Sequence, residues 1–287
     1  MILRPFDPWK NQLCTCPPKL SLNPYTGCAH GCLYCYAASY IPRFQDCRPK
    51  ADLLKHLARE AAKIQPGTLV AMSNSSDPYP MMENDLFLSR GCLQILKRRG
   101  LAVQVVTKSD LVVRDADLLA SMRATVAITI TTLDGSLARK LESGAPSPER
   151  RLDAMRLLTA RGIPVSARID PIIPGINDPE IGSLVRAVHQ AGAKHITSST
   201  YKARSDSLKR ICRIFPGVGA RLKALYQSDC RISGSLYLPP EMRNRLICEV
   251  EQRAIDAGIT FSACREGFAS RCGVNCDGSH LVPCKIA

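Results

Sequence analysis

The chain has 287 residues (31.4 kDa), 45% of them hydrophobic, and a mean hydropathy of −0.06. That is enough apolar content to bury a core and too much for a disordered polar tail. No apolar stretch approaches the roughly 20 residues of a membrane helix, and Met1-Ile2-Leu3-Arg4-Pro5-Phe6-Asp7 lacks the apolar run of a signal peptide, so a cytoplasmic protein with no membrane partner is expected. The net charge of +14, with a pI near 9.3, favours polyanionic partners, although arginine-rich usage alone also reaches it.

In chain order, an N-terminal extension over 1–18 carries Cys14 and Cys16. Short β-branched or apolar runs then predict strands over 19–23, 68–73, 101–108, 125–131, 163–171 and 194–198. Amphipathic stretches over 50–64, 84–99, 148–161 and 179–191 lie between them, each closed by a glycine or by Pro66. Strand followed by helix, repeated along 19–200, predicts an α/β fold with a parallel sheet and right-handed crossovers. The pattern alone leaves the sheet either open or curled into a partial barrel.

Over 201–258 the alternation fails. Lys202, Arg204, Lys209, Arg210, Arg213, Arg221, Lys223 and Arg231 stand against Asp206 and Asp229, which is either a phosphate-binding face or a solvated helix surface. A helix over 240–257 and a strand over 260–263 lead into a cysteine-rich segment, 259–287.

Fourteen cysteines in a chain without an export signal point to metal ligands or reactive thiols. Cys47, Cys92, Cys212, Cys230 and Cys248 are scattered and read as small packing residues. The informative group is Gly27-Cys28-Ala29-His30-Gly31-Cys32-Leu33-Tyr34-Cys35-Tyr36, directly after the first predicted strand. Structural zinc wants four closed ligands, whereas three thiolates on one short loop can hold three irons of a [4Fe-4S] cube and leave the fourth iron open.

This C-x3-C-x2-C spacing, with aromatic Tyr34 before the last cysteine, resembles the signature of the radical SAM superfamily. The resemblance implies that Cys28, Cys32 and Cys35 hold a [4Fe-4S] cluster whose open iron takes S-adenosyl-L-methionine (SAM). One-electron cleavage to a 5′-deoxyadenosyl radical and hydrogen abstraction from a substrate would follow. It also implies a partial (β/α)6 TIM-type barrel over 19–200 and a reductant such as flavodoxin or ferredoxin. Further segments resemble the spore photoproduct lyase-like branch, often labelled DNA repair photolyases. They are Asn23-Pro24-Tyr25-Thr26-Gly27, Ser75-Ser76-Asp77-Pro78-Tyr79, Thr107-Lys108-Ser109, Thr129 to Asp134 and Pro171-Ile172-Ile173-Pro174-Gly175. All fall at the C-terminal ends of predicted strands, where barrel enzymes build their sites.

By similarity, Lys108 would pair with the SAM carboxylate, and Ser76 and Asp77 would lie beside the cofactor. Thr129 and Thr131 could give it hydroxyl hydrogen bonds, though both are also ordinary strand residues. Arg168 needs a charged partner, for which the SAM carboxylate or ribose is the candidate. Tyr36 either stacks near adenine or packs. No residue is assigned to the substrate chemistry itself.

One departure bears on activity. Spore photoproduct lyases place a hydrogen-donating cysteine in the segment after the second strand, where this chain aligns Ser75. A serine O–H bond is much harder to break homolytically, so the repair activity does not carry over with the resemblance. Cys264, Cys272, Cys276 and Cys284 could hold a second [4Fe-4S] cluster or zinc, joined by Cys14 and Cys16 if the termini meet; free or catalytic thiols and inert packing are the other readings. Nearby His280 reads as a surface residue. The functional expectation is a radical SAM enzyme acting on nucleic acid, with a peptide or small metabolite as the alternative substrate. An iron–sulfur electron carrier or binding module without SAM chemistry is the alternative of another class; in it, Lys108 and Arg168 would be dispensable.

Overall fold

Alternation of side chains along the strands decides the architecture. The computed structural model describes residues 1–6, 11–73, 75–227, 230–267 and 274–284. Strands are β1 (Arg4–Pro5), β2 (Leu20–Leu22), β3 (Tyr25–Thr26), β4 (Arg48–Pro49), β5 (Leu69–Met72), β6 (Ala102–Thr107), β7 (Ala124–Thr129), β8 (Val165–Ile172), β9 (His195–Thr200), β10 (Arg231–Ile232), β11 (Ser235–Leu236) and β12 (Thr260–Ala263). Helices are α1 (Leu53–Ala61), α2 (Glu83–Leu86), α3 (Leu88–Arg98), α4 (Ala116–Ala120), α5 (Gly135–Leu141), α6 (Pro148–Ala160), α7 (Ile181–Gln190), α8 (Ser205–Ile214), α9 (Pro216–Leu225) and α10 (Pro240–Asp256).

One sheet runs β1-β2-β5-β6-β7-β8-β9-β12. Every neighbouring pair is parallel except β1 with β2. Strands added in chain order on one side give the winding of a TIM-type barrel. Among the described residues the two outer strands do not pair with each other, so the barrel is partial. The strand expected over 260–263 joins beside β9, and the sheet therefore extends past residue 200. No described helix is long and apolar enough to cross a membrane.

Val70, Met72, Val103, Val105, Val126, Ile128, Val165, Ile169 and Ile196 are buried on the outer face, in one apolar cluster with Leu57, Leu93, Leu96, Leu158, Val185 and Val188 of the helices. Residues of the opposite parity, such as Ser21, Gln104, Ser166 and Thr197, face inward. They are polar or small and cannot fill the lumen themselves. Residues 274–284 occupy its lower part. Gln104 Nε2 donates to the Asp277 carbonyl at 2.6 Å and Thr197 Oγ1 to the Cys276 carbonyl at 2.9 Å, while Asp277 pairs with Lys19. Farther on, His280 packs edge-on against His195, and the Pro283 carbonyl accepts from Arg123, the residue before β7.

Three local differences from the sequence expectation have physical reasons. The helix expected over 84–99 is split at Phe87, which takes a left-handed backbone (φ 51). Helix α5, with no expected counterpart, starts where Asp134 accepts from Ser136 N and Leu137 N at 2.7 and 3.2 Å. The basic 201–231 region folds into α8, α9 and the β10–β11 hairpin, and its eight cations do not share one face. Lys202 is buried against Glu266, and Arg210 turns inward. Lys209, Arg213, Arg221, Lys223 and Arg231 remain exposed.

Candidate active site

The cysteine loop follows β3 and is held from several sides. Gly27 has φ +80, and a Cβ there would stand 2.6 Å from the carbonyl oxygens of Phe44 and Asp46, so only glycine fits. Cys28 N donates to Phe44 O at 2.7 Å, and Leu33 N to Leu141 O at 2.9 Å. Gly144 N donates to His30 O at 3.0 Å, while Cys32 forms an antiparallel bridge with Glu142. From α8, Arg210 donates to the carbonyls of Leu33 (3.1 Å) and Cys35 (3.2 Å) and is itself paired to Asp206 at 2.7 Å. Cys28, Cys32 and Cys35 thus line one cavity of about 490 Å³ at the C-terminal ends of the parallel strands.

Two buried carboxylates organise the wall. Burial disfavours the charge on Glu142, but Arg151 at 2.5 Å and Lys108 at 3.9 Å, with hydrogen bonds from Thr131 (2.6 Å) and Tyr34, hold its pKa at about 2. Asp77 is likewise penalised by burial. His30 Nε2 at 3.0 Å, the Lys108 N–H at 2.8 Å and the Thr107 hydroxyl at 2.7 Å keep its pKa at about 2. Arg168 pairs with Asp170 at 2.5 Å, and the Cys264 thiol is close enough to act electrostatically on its guanidinium. Burial is the main cause pushing the Cys28 thiol up to about 12, so ionisation of this loop waits on a cation entering the cavity.

The family model described as the Radical SAM superfamily matches residues 22–188, more than half of the chain. The chain belongs to the radical SAM superfamily. Among its relatives, the uncharacterized protein Rv2578c of Mycobacterium tuberculosis is 26% identical over 253 residues, 80% of this chain and 72% of that one. The uncharacterized protein MJ0683 of Methanocaldococcus jannaschii is 34% identical over 169 residues, 56% of this chain and 63% of that one. Among solved structures, a spore photoproduct lyase mutant with bound AdoMet and dinucleoside spore photoproduct superimposes with TM-score 0.66 at 15% identity, covering 88% of this chain and 79% of that one. Streptococcus suis SuiB bound to S-adenosylmethionine gives TM-score 0.58 at 15% identity, covering 85% and 50%. At these identities the structures establish the shared partial-barrel fold.

The donor set fits the cluster that the superfamily carries: three thiols without disulfide partners, on one pinned loop, facing one cavity. As a radical SAM enzyme, the protein also brings Tyr34, Tyr36, Ser76, Asp77, Lys108, Thr129 and Arg168 to that cavity. Several already have work inside the protein. Ser76 Oγ donates to Tyr25 O at 2.9 Å, Thr131 is committed to Glu142, and Tyr36 stacks on Tyr40 with Arg265 over its ring. Lys108 sits 5.6 Å from the centre of the Tyr34 ring and shares the cavity with the three thiols.

Cys264 and Cys276 line the same cavity, Cys272 lies outside the described residues, and Cys284 is exposed beyond Pro283 at the other end of the lumen. Cys284 therefore stands apart from Cys264 and Cys276. Sequence reading missed Glu142, Arg151 and Asp170, which carry no motif, and counted Arg210 only among the basic residues of 201–231. His30 was legible, since it sits inside the cysteine signature.

Proposed function

We propose that this radical SAM enzyme acts on nucleic acid, binding it over α8 and α9 and reacting it at the cavity beneath. When bound, the [4Fe-4S] cluster supplies the electron that breaks a carbon–sulfur bond of SAM, giving a radical able to abstract hydrogen from a substrate. The chain's own residues would do the positioning. Cys28, Cys32 and Cys35 hold the cluster; Lys108 and Arg168 bring positive charge to the SAM carboxylate; Thr129 and the Tyr34 and Tyr36 rings shape the remaining wall. Ser76 and Asp77 lie beside the cofactor on the same wall, and Thr131 stands behind it, bonded to Glu142. A flavodoxin or ferredoxin is the proposed electron source, and unpaired thiols at every described cysteine suit the reducing cytoplasm.

The observation that carries the substrate reading is the position of α8. Its inner residue Arg210 grips the cysteine loop, while Lys209 and Arg213 on the same helix are exposed, joined by Arg221, Lys223 and Arg231. Phosphates bound by Lys209 and Arg213 would lie on the helix that Arg210 ties to the cysteine loop, and the other three cations extend the positive charge over α9 and the hairpin. The formal charge of +14 supports it, as does the likeness to a lyase solved with a dinucleoside photoproduct.

The test is titration of the anaerobically reconstituted enzyme with duplex DNA and with RNA at several salt concentrations. Five phosphate contacts give a log–log salt slope of about −4 to −5 on duplex DNA, and each Arg213→Ala or Arg221→Ala change takes away about one unit. Salt-insensitive or absent binding would overturn the nucleic-acid reading and favour a peptide or small metabolite. Cleavage of SAM to 5′-deoxyadenosine, followed in the same preparations, reports on the chemistry separately.

A further inference from the structure

Cys14, Cys16 and Cys276, from opposite ends of the sequence, meet on the wall of the cavity. Cys16 Sγ is 3.3 Å from Cys276 Sγ, and Cys14, two residues before Cys16, lines the same cavity. Cys264 is close enough to act electrostatically on Cys276. The backbone on both sides is fixed: Leu13 N and Cys14 N donate to the side chain and carbonyl of Asn11 at 2.8 Å, and Thr197 holds the Cys276 carbonyl. Lys19 and Arg265 place positive charge beside Cys16 and Cys14, offsetting the charge of thiolates there.

Cys16 and Cys276 are soft donors close enough to share a single ion. In a tetrahedral thiolate site with metal–sulfur bonds of about 2.3 Å, the sulfurs stand about 3.8 Å apart, whereas the cysteines of a four-iron cube each bind a different iron and lie farther apart. Among the described residues no three ligand side chains yet converge on one point, so closure requires Cys14 and Cys264 to swing inward by side-chain rotation.

We propose that Cys14, Cys16, Cys276 and Cys264 form a thiolate site for one soft divalent ion of the zinc type, separate from the cluster loop. As the ion binds, the thiols lose their protons to solvent and no electron is transferred. The site would clip the N-terminal extension to the segment that fills the lumen.

The test uses the full chain carrying Cys28→Ser, Cys32→Ser and Cys35→Ser, purified anaerobically and given zinc alone. Retention of about one zinc per chain, with affinity falling at least tenfold when Cys16→Ser and Cys276→Ser are added, is the expected result. If that background does not fold, cobalt(II) titrated into the metal-free wild-type chain gives the second reading: thiolate-to-cobalt charge-transfer absorption that falls by one equivalent of bound cobalt when Cys16→Ser and Cys276→Ser are introduced, leaving what the cluster loop contributes. A folded chain that retains no zinc, zinc indifferent to Cys16 and Cys276, iron with sulfide in their place, or a Cys16–Cys276 disulfide as the resting state would each overturn the proposal.

Discussion

Glu142 shows how one side chain outside any motif can govern the site. It is fully buried, and it ties α6 through Arg151, β6 through Lys108 and the cysteine loop through Tyr34. Its folded pKa of about 2 lies below the ordinary value of 4.5, so its stabilisation is complete above about pH 4.5 and is lost as pH falls towards 2. A shift of that size corresponds to ~3 kcal/mol. Glu142→Gln should therefore cost about 3 kcal/mol at pH 7, measured by denaturant unfolding of the metal-free chain, and the gap to wild type should close as the pH is lowered. A pH-independent gap would mean that shape, not charge, matters at this position. The three cysteines were readable because their spacing is itself the chemistry. Glu142 was not, because a lone glutamate near a helix end looks like any solvated charge until the fold buries it.

At the scale of elements, strand positions were legible because a buried parallel strand leaves a run of apolar and β-branched residues, and every expected strand is present. Helix interruptions were less so. The break at Phe87 and the short α5 depend on single backbone conformations and caps, which periodicity does not register. Yet α5 matters to the site, since its last residue, Leu141, and the segment that follows it, 142–144, pair with the cysteine loop. Gly144 passes so close that an added Cβ would sit 2.1 Å from Ala29 O. Gly144→Ala should push the loop aside at a cost of about 1–3 kcal/mol, lowering iron loading on reconstitution while far-UV circular dichroism stays unchanged. Full iron loading in that variant would show that the loop does not depend on this approach.

Over the whole molecule, the polar inner strand faces and the segment 274–284 are complementary. Gln104, Thr197 and Lys19 each meet a group from that segment. Lys19 and Asp277 are 3% and 8% exposed, so Asp277→Ala would strand a buried ammonium and should destabilise the chain by about 3–5 kcal/mol in denaturant unfolding. The sequence hints at this only through polar strand residues; their partners lie 79 and 173 positions away for Thr197 and Gln104 and 258 for Lys19, and pattern reading does not reach that far. A consequence follows for synthesis on the ribosome. Every strand that the lumen segment touches except β12 emerges well before it, so for most of translation the nascent barrel is a wall around water. Its lower end is sealed only when this later segment slides in, and until then solvent alone satisfies the Gln104 amide and the Thr197 hydroxyl.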